Sequence, residues 1–199
     1  MQKPAITQVS IDDTLAQRWS GRSYDASKPV SRDQLVALLE AARWAPSCFG
    51  DQPWRFVVWD KNKDEALWQK AQDCLVPGNQ AWAKDAPLLF LITAGSLFAH
   101  NGKENRFGQY DTGAAAENLC LQASALGLMA HQMGGYEADK ARATFGIPPE
   151  YTLMAMVSVG YPADISTLSG EVLERETAPR KRLELGELFF TGSWGKPVL

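Results

Sequence analysis

The amino-acid sequence predicts a β-sheet covered by helices. Short apolar runs with strand character alternate along the chain with longer segments of helical periodicity. Glycines and prolines stand at the borders between these segments, and no linker is long enough to divide the chain. A chain of 199 residues can bury a sizeable core without disulfide bonds. We therefore expect a single domain over residues 1–199, in which the apolar faces of the helices cover the sheet.

The first strong helix is predicted to begin at Ser31. Its side chain can cap the helix while Gln34, three residues on, reaches back to the Ser31 backbone in a capping box. Pro46 disfavours helical geometry at the residue before it, so the helix should end by Ala45 and a turn-rich loop should follow. Residues 56–59 form a continuous apolar run, which predicts a strand buried on both faces or, alternatively, a buried piece of helix.

The later elements continue the alternation. Further helices are predicted over residues 64–75, 79–84, 110–126 and 137–145, and further strands over residues 88–92, 128–133 and 153–159. Gly127 and Gly146 directly follow two of these helices, as expected where a helix stops. From about residue 178 to residue 199 the chain is rich in aromatic residues, which predicts an extended arm that packs on a partner subunit.

The composition narrows the class of protein. A net charge of −3, with 45% hydrophobic and 22% charged residues, gives no general attraction to nucleic acid or to anionic membranes. No apolar run is long enough to span a membrane, and the first residues lack the apolar core of a signal peptide, so we expect a cytoplasmic protein. The cysteines Cys48, Cys74 and Cys120 are odd in number and widely spaced, which predicts reduced thiols.

The common signatures of catalytic side chains are missing from the sequence. His100 and His131 lie in no zinc-binding pattern, so we expect ordinary surface or core histidines and no metal. The sequence contains no GxSxG elbow, no P-loop and no GxGxxG fingerprint. Cys48 could act as a nucleophile only beside a histidine base, which the sequence does not place, and an incidental thiol is the simpler interpretation. We therefore predict no catalytic side chain.

Two basic clusters are candidates for anion binding. Arg18, Ser20 and Arg22 occupy alternate positions, so in an extended segment their side chains point to the same side. Two guanidinium groups and a hydroxyl suit a phosphate monoester, because bidentate charge-assisted hydrogen bonds are strong. Arg180 and Arg182 repeat the alternation. A solvated basic surface has the same pattern, so the two clusters alone leave both interpretations open.

Several segments, taken in order, resemble the FMN-dependent nitroreductase family. RWSGR, at residues 18–22, is similar to the RxSxR/K opening of that family, and APSCFGDQPWRF, at residues 45–56, is similar to its APSxxNxQPW loop. Three later segments match as well, namely NQAWAKDAP, the helix YDTGAAAENLCLQASALGL with the glycine pair and FGIP after it, and PRKRL. The resemblance covers nearly the whole chain from Arg18 onward.

The resemblance implies a phosphate site built from both basic clusters. Arg18, Ser20 and Arg182 would hold the FMN phosphate, with Arg180 or Lys181 assisting. Such a site requires that the two clusters lie close together in the folded chain.

The resemblance also implies which residues surround the flavin ring. Arg22 would lie near the pyrimidine edge, where a positive charge stabilises the reduced anionic ring. Asn79 would hydrogen-bond the ring, and the small residues Gly134 and Gly135 would let the backbone lie close to it. A loop from the other subunit would complete the site, with residues Pro46, Ser47, Cys48 and Gly50.

The implied fold is α+β, with a mixed, mainly antiparallel central sheet flanked by helices. The implied assembly is an intertwined homodimer with swapped C-terminal arms and the flavin site at the subunit interface. In the implied reaction NADH or NADPH delivers hydride to the flavin and leaves, and a nitroaromatic, a quinone or another electron-poor acceptor then takes the electrons in a ping-pong cycle. The alternatives are an FMN dehydrogenase, dehalogenase or flavin-consuming enzyme of the same fold, a non-enzymatic flavin binder, and a structural dimer without flavin.

Two departures from the family pattern bear on the site. Gly50 followed by Asp51 stands where the family has asparagine in its loop, which puts one hydrogen bond to the flavin in question. The segment of residues 95–109 is short, whereas several family members have an inserted helical segment at this position that covers the substrate.

Overall fold

The computed structural model describes residues 3–199. The elements of this range follow one another in the order α1 (Asp13–Gln17), α2 (Arg32–Arg43), β1 (Trp54–Asp60), α3 (Glu65–Gln72), α4 (Pro77–Ala83), β2 (Leu88–Gly95), α5 (Gly108–Ala125), β3 (Met129–Met133), α6 (Ala138–Phe145), β4 (Tyr151–Gly160), α7 (Gly170–Thr177) and α8 (Leu185–Leu188). Single 3₁₀ turns lie at Cys48–Gly50 and Ile165–Thr167.

Helix α2 forms because its first turn is capped from both sides. The Ser31 hydroxyl oxygen accepts from the Gln34 backbone N–H at 3.2 Å, and the Gln34 side-chain oxygen accepts from the Ser31 N–H at 3.0 Å. The backbone N–H groups of Ser31 and Gln34, which have no partner within the helix, are therefore both hydrogen-bonded, and the predicted capping box is confirmed. The helix packs along α5, where Asn118 donates its amide to the carbonyl oxygen of Ala41 at 3.0 Å.

The four strands form one sheet in the order β1-β2-β4-β3, and every neighbouring pair is antiparallel. Phe90 in β2 stands opposite Val58 in β1 and Val157 in β4, which fixes the register through the middle of the sheet. The pairing shifts between Ile92 and Thr93. The predicted α+β fold with helices flanking a central sheet is confirmed. The sheet was expected to be mixed and mainly antiparallel, but among residues 3–199 its strands pair only in antiparallel fashion.

Strand β2 divides the core into two layers. Its side chains alternate between the faces of the sheet, so that Leu88 and Phe90 pack with helices α2 and α5. Leu89 and Leu91 point the other way and pack with α3, α4 and α6. Helices therefore cover both faces, and the sheet edges are formed by β1 and β3.

The burial of β1 differs from the expectation. Residues 56–59 do lie in a strand, but the middle of β1 is only half-buried. The reason is its place at the edge of the sheet, where it pairs with β2 on one side. The strand that is buried on both faces is β2.

The region after β4 is more structured than an extended arm. Helix α7 was not predicted, and α8 and a single bridge between Phe190 and Pro197 interrupt the last residues. Many apolar side chains here are exposed, and Trp194 is 92% accessible. Among residues 3–199 no helix combines the length and the apolar character needed to cross a bilayer.

Candidate functional site

A strongly basic cleft of about 300 Å³ lies beside the edge of the sheet. Its walls are formed by Lys3, Arg18, Trp19, Ser20, Arg22, Arg175, Glu176, Arg180 and Arg182. The structure thus brings together all five residues of the two basic clusters, although the segments that carry them lie far apart in the sequence. Trp19 also lines the cleft, because residues 18–22 form a loop whose side chains do not strictly alternate.

Arg180 connects the walls of this basic cleft. Its Nη1 donates to the carbonyl oxygens of Lys3 and Ala16 at 2.9 and 2.8 Å. Burial, together with the charges of Arg18 and Arg182, holds the pKa of the Arg180 guanidinium below its usual value. These like charges repel one another, so an anion in the cleft would relieve the repulsion.

Two carboxylates lie near these cations. Glu117 on α5 forms an ion pair with Arg18, with 3.2 Å between Oε1 and Nε. Glu176 is buried and accepts from the Arg22 backbone N–H at 2.9 Å. Burial raises the pKa of Glu176, while the Arg22 N–H and the charges of Lys3, Arg22 and Arg175 act in the opposite direction. With two carboxylates against six cations, the cleft keeps a positive excess.

His131 fixes the loop of residues 18–22 to the edge strand β3. Its Nδ1 lies 2.9 Å from the carbonyl oxygen of Gly21 and carries the proton there, because a carbonyl oxygen only accepts. Burial lowers the pKa of His131, and the neighbouring charges of Arg22 and Arg18 lower it further. The neutral ring lies against Trp82, with 4.7 Å between the ring centroids. The guanidinium of Arg22 lies 6.0 Å from the Trp82 ring centroid.

Asn79 and the glycine pair form a second part of the site next to Trp82. The Asn79 side-chain nitrogen donates to the carbonyl oxygen of Gly135 at 2.9 Å, so a ligand must use the carbonyl oxygen or the second amide hydrogen of Asn79. A Cβ at Gly135 would lie 2.7 Å from Asn79 Nδ2 and 2.9 Å from Val76 Cγ2, whereas one at Gly134 would meet nothing within 4 Å. Gly135 is therefore required by the packing of the protein, and Gly134 faces open space.

Residues 46–52 form a strained loop. Phe49, Gly50 and Gln52 have φ values of 56°, 67° and 50°, a region that residues other than glycine rarely adopt. Two side chains hold this geometry: Asp111 accepts from the Cys48 backbone N–H at 2.9 Å, and Ser47 accepts from the Gln52 N–H at 3.0 Å. Strain that the surrounding structure maintains is typical of functional loops.

Asp51 fastens this loop to the short segment before α5. Its two carboxylate oxygens accept from the Ala99 N–H at 2.8 Å and from the Asn105 side chain at 3.3 Å. The Asp51 side chain is only 4% exposed, so its hydrogen bonds stabilise the conformation of this loop. The ring centroid of Phe49 lies 5.8 Å from that of Phe98 and 5.4 Å from that of His100, and Phe49 is 83% exposed.

Within one chain the two halves of the expected site remain separate. Gly50 lines an open cavity with Phe49, Asp51, Ala99 and His100, and that cavity shares no lining residue with the basic cleft. Pro46, Ser47 and Cys48 also lie outside the walls of the basic cleft. Within one chain, loop 46–50 therefore does not line the basic cleft.

Several contacts of this region have no signal in the sequence. Lys3 and Glu176 belong to no motif, and only the folded chain brings them to the cleft. His131 was expected to be a surface or core histidine, and it packs on Trp82 with a hydrogen bond to the Gly21 carbonyl oxygen, a contact that the sequence does not reveal. In the part of the chain that the structure describes, no three His, Cys, Asp or Glu side chains are grouped to hold a metal ion.

Comparisons with known proteins identify the family of this chain. The Nitroreductase family model matches residues 15–161. A solved oxidoreductase containing FMN is 34% identical, superimposes with a TM-score of 0.88, and the match covers 96% of each chain. A 15.4 kDa protein of Mycolicibacterium smegmatis is 34% identical over 127 residues, which are 62% of this chain and 82% of that protein.

A third relative matches over a shorter stretch. The major NAD(P)H-flavin oxidoreductase of Aliivibrio fischeri is 46% identical over 53 residues, which are 27% of this chain and 24% of that protein. The family model covers well over half of the chain, and the match to the solved oxidoreductase containing FMN extends over nearly all of it. This chain belongs to the nitroreductase family.

Proposed function

We propose that this protein is an FMN-dependent oxidoreductase that takes electrons from NADH or NADPH and passes them to nitroaromatics, quinones or similar electron-poor acceptors. The observation that carries the proposal is the convergence of Arg18, Ser20 and Arg22 with Arg180 and Arg182 in one basic cleft. Family membership, a 34% identical solved oxidoreductase containing FMN and the name of the Aliivibrio fischeri relative support it.

The chemistry of the cleft fits a phosphate monoester. Arg18, Ser20 and Arg182 hold the FMN phosphate, because guanidinium forks and a hydroxyl donate to its oxygens. Arg180 contributes charge, but its hydrogen bonds to Lys3 and Ala16 give it a structural part as well. The dianion offsets the excess positive charge of the walls.

The adjoining surface fits a flat ring system. Arg22 supplies positive charge at the pyrimidine edge, and its backbone is fixed by Glu176. Gly134 leaves room for the ring, and Asn79 hydrogen-bonds it while remaining anchored to Gly135. FMN supplies the hydride-accepting and hydride-donating chemistry when it is bound, and these residues orient it and exclude water.

The proposed active unit is a homodimer of one-domain subunits spanning residues 1–199. Loop 46–50 of one subunit reaches the flavin of the other, which accounts for its strain and for its distance from the cleft of its own chain. The exposed apolar side chains after residue 178 embrace the partner. In the proposed ping-pong cycle, NADH or NADPH would deliver its hydride and leave before the acceptor binds.

The visible spectrum of the purified protein tests this proposal directly. We expect a flavin spectrum that anaerobic NADH or NADPH bleaches and that a quinone or a nitroaromatic restores. Bleaching without restoration by either acceptor would point to another reaction of the same fold, such as that of a dehydrogenase or dehalogenase. Bound FMN that neither nucleotide bleaches would point to a flavin binder, and a colourless protein that takes up no FMN would refute the proposal.

A further inference from the structure

Glu176 is the one acidic residue among the described residues that line the basic cleft. It lies near the end of α7 and is only 2% exposed. Six cations share the cleft with it, namely Lys3, Arg18, Arg22, Arg175, Arg180 and Arg182. These cations offset part of the cost of burying the carboxylate.

The contacts of Glu176 join three segments of the chain. Its Oε1 accepts from the Arg22 backbone N–H at 2.9 Å, and its own carbonyl oxygen accepts from Lys3 Nζ at 2.9 Å. The Lys3 ammonium also lies 4.6 Å from the ring centroid of Trp19. Helix α7 thus holds the loop that carries Arg18, Ser20 and Arg22 in place through the hydrogen bond from the Arg22 N–H to Glu176.

The two consequences of this placement act in opposite directions. Holding the Arg22 peptide orders the loop before a ligand arrives, which strengthens binding because less ordering is left to binding. A negative charge in the wall repels a dianion and weakens binding. A neutral side chain of the same shape would keep the first effect and remove the second.

We propose that Glu176 is a positioning residue of the phosphate site, which orders the Arg22 loop and at the same time limits how tightly the cleft holds a phosphate dianion. This inference rests on the proposed function, because it takes the FMN phosphate as the occupant of the cleft. It assigns to Glu176 control over how readily the flavin dissociates.

Protonation of Glu176 adds a pH dependence. Lys3 from the N-terminal segment, Arg22 from the loop and Arg175 from α7 are the charged groups that most affect it, and Arg18, Arg180 and Arg182 line the same cleft. Burial raises the pKa of Glu176 above that of an exposed glutamate despite these cations. As the pH falls, the repelling charge is therefore lost earlier than it would be for an exposed glutamate, while a carboxyl oxygen still accepts from Arg22.

Binding of FMN and of riboflavin, which lacks the phosphate, to the flavin-free dimer tests the proposal. We expect Glu176→Gln to bind FMN roughly three- to tenfold more tightly than the wild type, the order expected for one charge acting on a dianion through a partly hydrated cleft. Riboflavin affinity should stay unchanged. Added salt should narrow the FMN difference, because screening weakens the repulsion. Glu174→Gln removes the same charge from the same helix at an exposed position outside the cleft, and should leave both affinities unchanged.

Two further measurements separate the effects. Glu176→Ala lacks the acceptor for the Arg22 N–H and should bind FMN about fivefold more weakly than Glu176→Gln. The ratio of wild-type to Glu176→Gln affinity should approach one as the pH falls, because both protonation of Glu176 and protonation of the FMN phosphate weaken the repulsion, which only the wild type has. If Glu176→Gln does not fold, Glu176→Ala also lacks the charge, and its FMN affinity relative to the wild type should fall as salt is added, because screening weakens the repulsion in the wild type.

The outcomes distinguish this inference from the proposed function. Equal affinities of the wild type and Glu176→Gln for FMN, with FMN still preferred over riboflavin, would overturn the role of Glu176 alone. Equal affinities of Glu176→Ala and Glu176→Gln would overturn its positioning part. A wild type that binds FMN no more tightly than riboflavin would refute the phosphate site itself.

Discussion

Removing the Arg180 guanidinium should destabilise the protein as well as weaken flavin binding, whereas removing that of Arg182 should only weaken flavin binding. Both arginines line the basic cleft, but they are held differently. Arg180 donates to the carbonyl oxygens of Lys3 and Ala16, two segments far from it in the sequence. Arg182 is exposed and donates to the carbonyl oxygen of its neighbour Lys181.

The size of the effect follows from these bonds. A hydrogen bond from a charged donor contributes about 1.5 to 3 kcal/mol, and Arg180 makes two such bonds. Because Arg180 is partly exposed, each bond should contribute at the low end of this range. Arg180→Ala should therefore lower the free energy of unfolding by about 2 to 3 kcal/mol. In a chain of this size that corresponds to a fall in Tm of about 5 to 10 °C. Arg182→Ala should stay within about 0.5 kcal/mol of the wild type. Each variant should bind FMN roughly tenfold more weakly, because each lacks one cation of the phosphate site.

Calorimetric unfolding of the flavin-free variants, followed by FMN titration, measures both quantities. Working without flavin matters, because a bound ligand would add its own stabilisation. Equal Tm values for the two variants would refute the structural role of Arg180. Unchanged FMN affinity in Arg182→Ala would mean that the phosphate lies elsewhere.

Further predictions concern α5 and β3. Gly108→Ala should cost about 1 to 3 kcal/mol, because its Cβ would overlap the backbone carbonyl oxygen of Gly95, whereas Gly113→Ala in the same helix meets nothing and should stabilise by up to about 1 kcal/mol. Denaturant titrations compare the two, and equal effects would contradict the packing. Burial lowers the pKa of His131 in the native chain. Below about pH 6.5 the unfolded chain therefore binds a proton at this histidine more readily than the native chain does. The free energy of unfolding should consequently fall as the pH drops below about 6.5. In His131→Phe this part of the pH dependence should disappear, and an unchanged slope would show that the histidine is not buried in its neutral form.

The sequence predicted the helices and strands best where local interactions define them. The capping box of Ser31 and Gln34 and the left-handed Gly146 after α6 need only neighbouring residues, and both occur as expected. The burial of residues 56–59 depends instead on the strand order, which a run of apolar residues does not reveal. Apolar runs therefore predict strands but not their position in the sheet.

The site shows the same division. The two basic clusters are recognisable as patterns, and the resemblance to a known family predicted which of their residues meet. Glu176 has no such pattern, because its partner Arg22 lies 154 positions away in the sequence. The contact of His131 with Gly21 spans 110 positions and is equally invisible before folding. Residues that position a site through long-range hydrogen bonds are recognisable only in the folded structure.

The hydrogen bond that joins Arg180 to Lys3 spans 177 positions, and this affects the order of events during synthesis. Nearly the whole chain must leave the ribosome before this wall of the cleft can close. The sheet and its covering helices end at Gly160, so they can fold earlier. A nascent chain that lacks residue 180 would then hold a folded core without a complete site, and cofactor loading would report that translation has passed that point. Proteolysis just after residue 178 would produce the same state, a folded body that has lost Arg180 and Arg182, the arginines proposed to bind the phosphate.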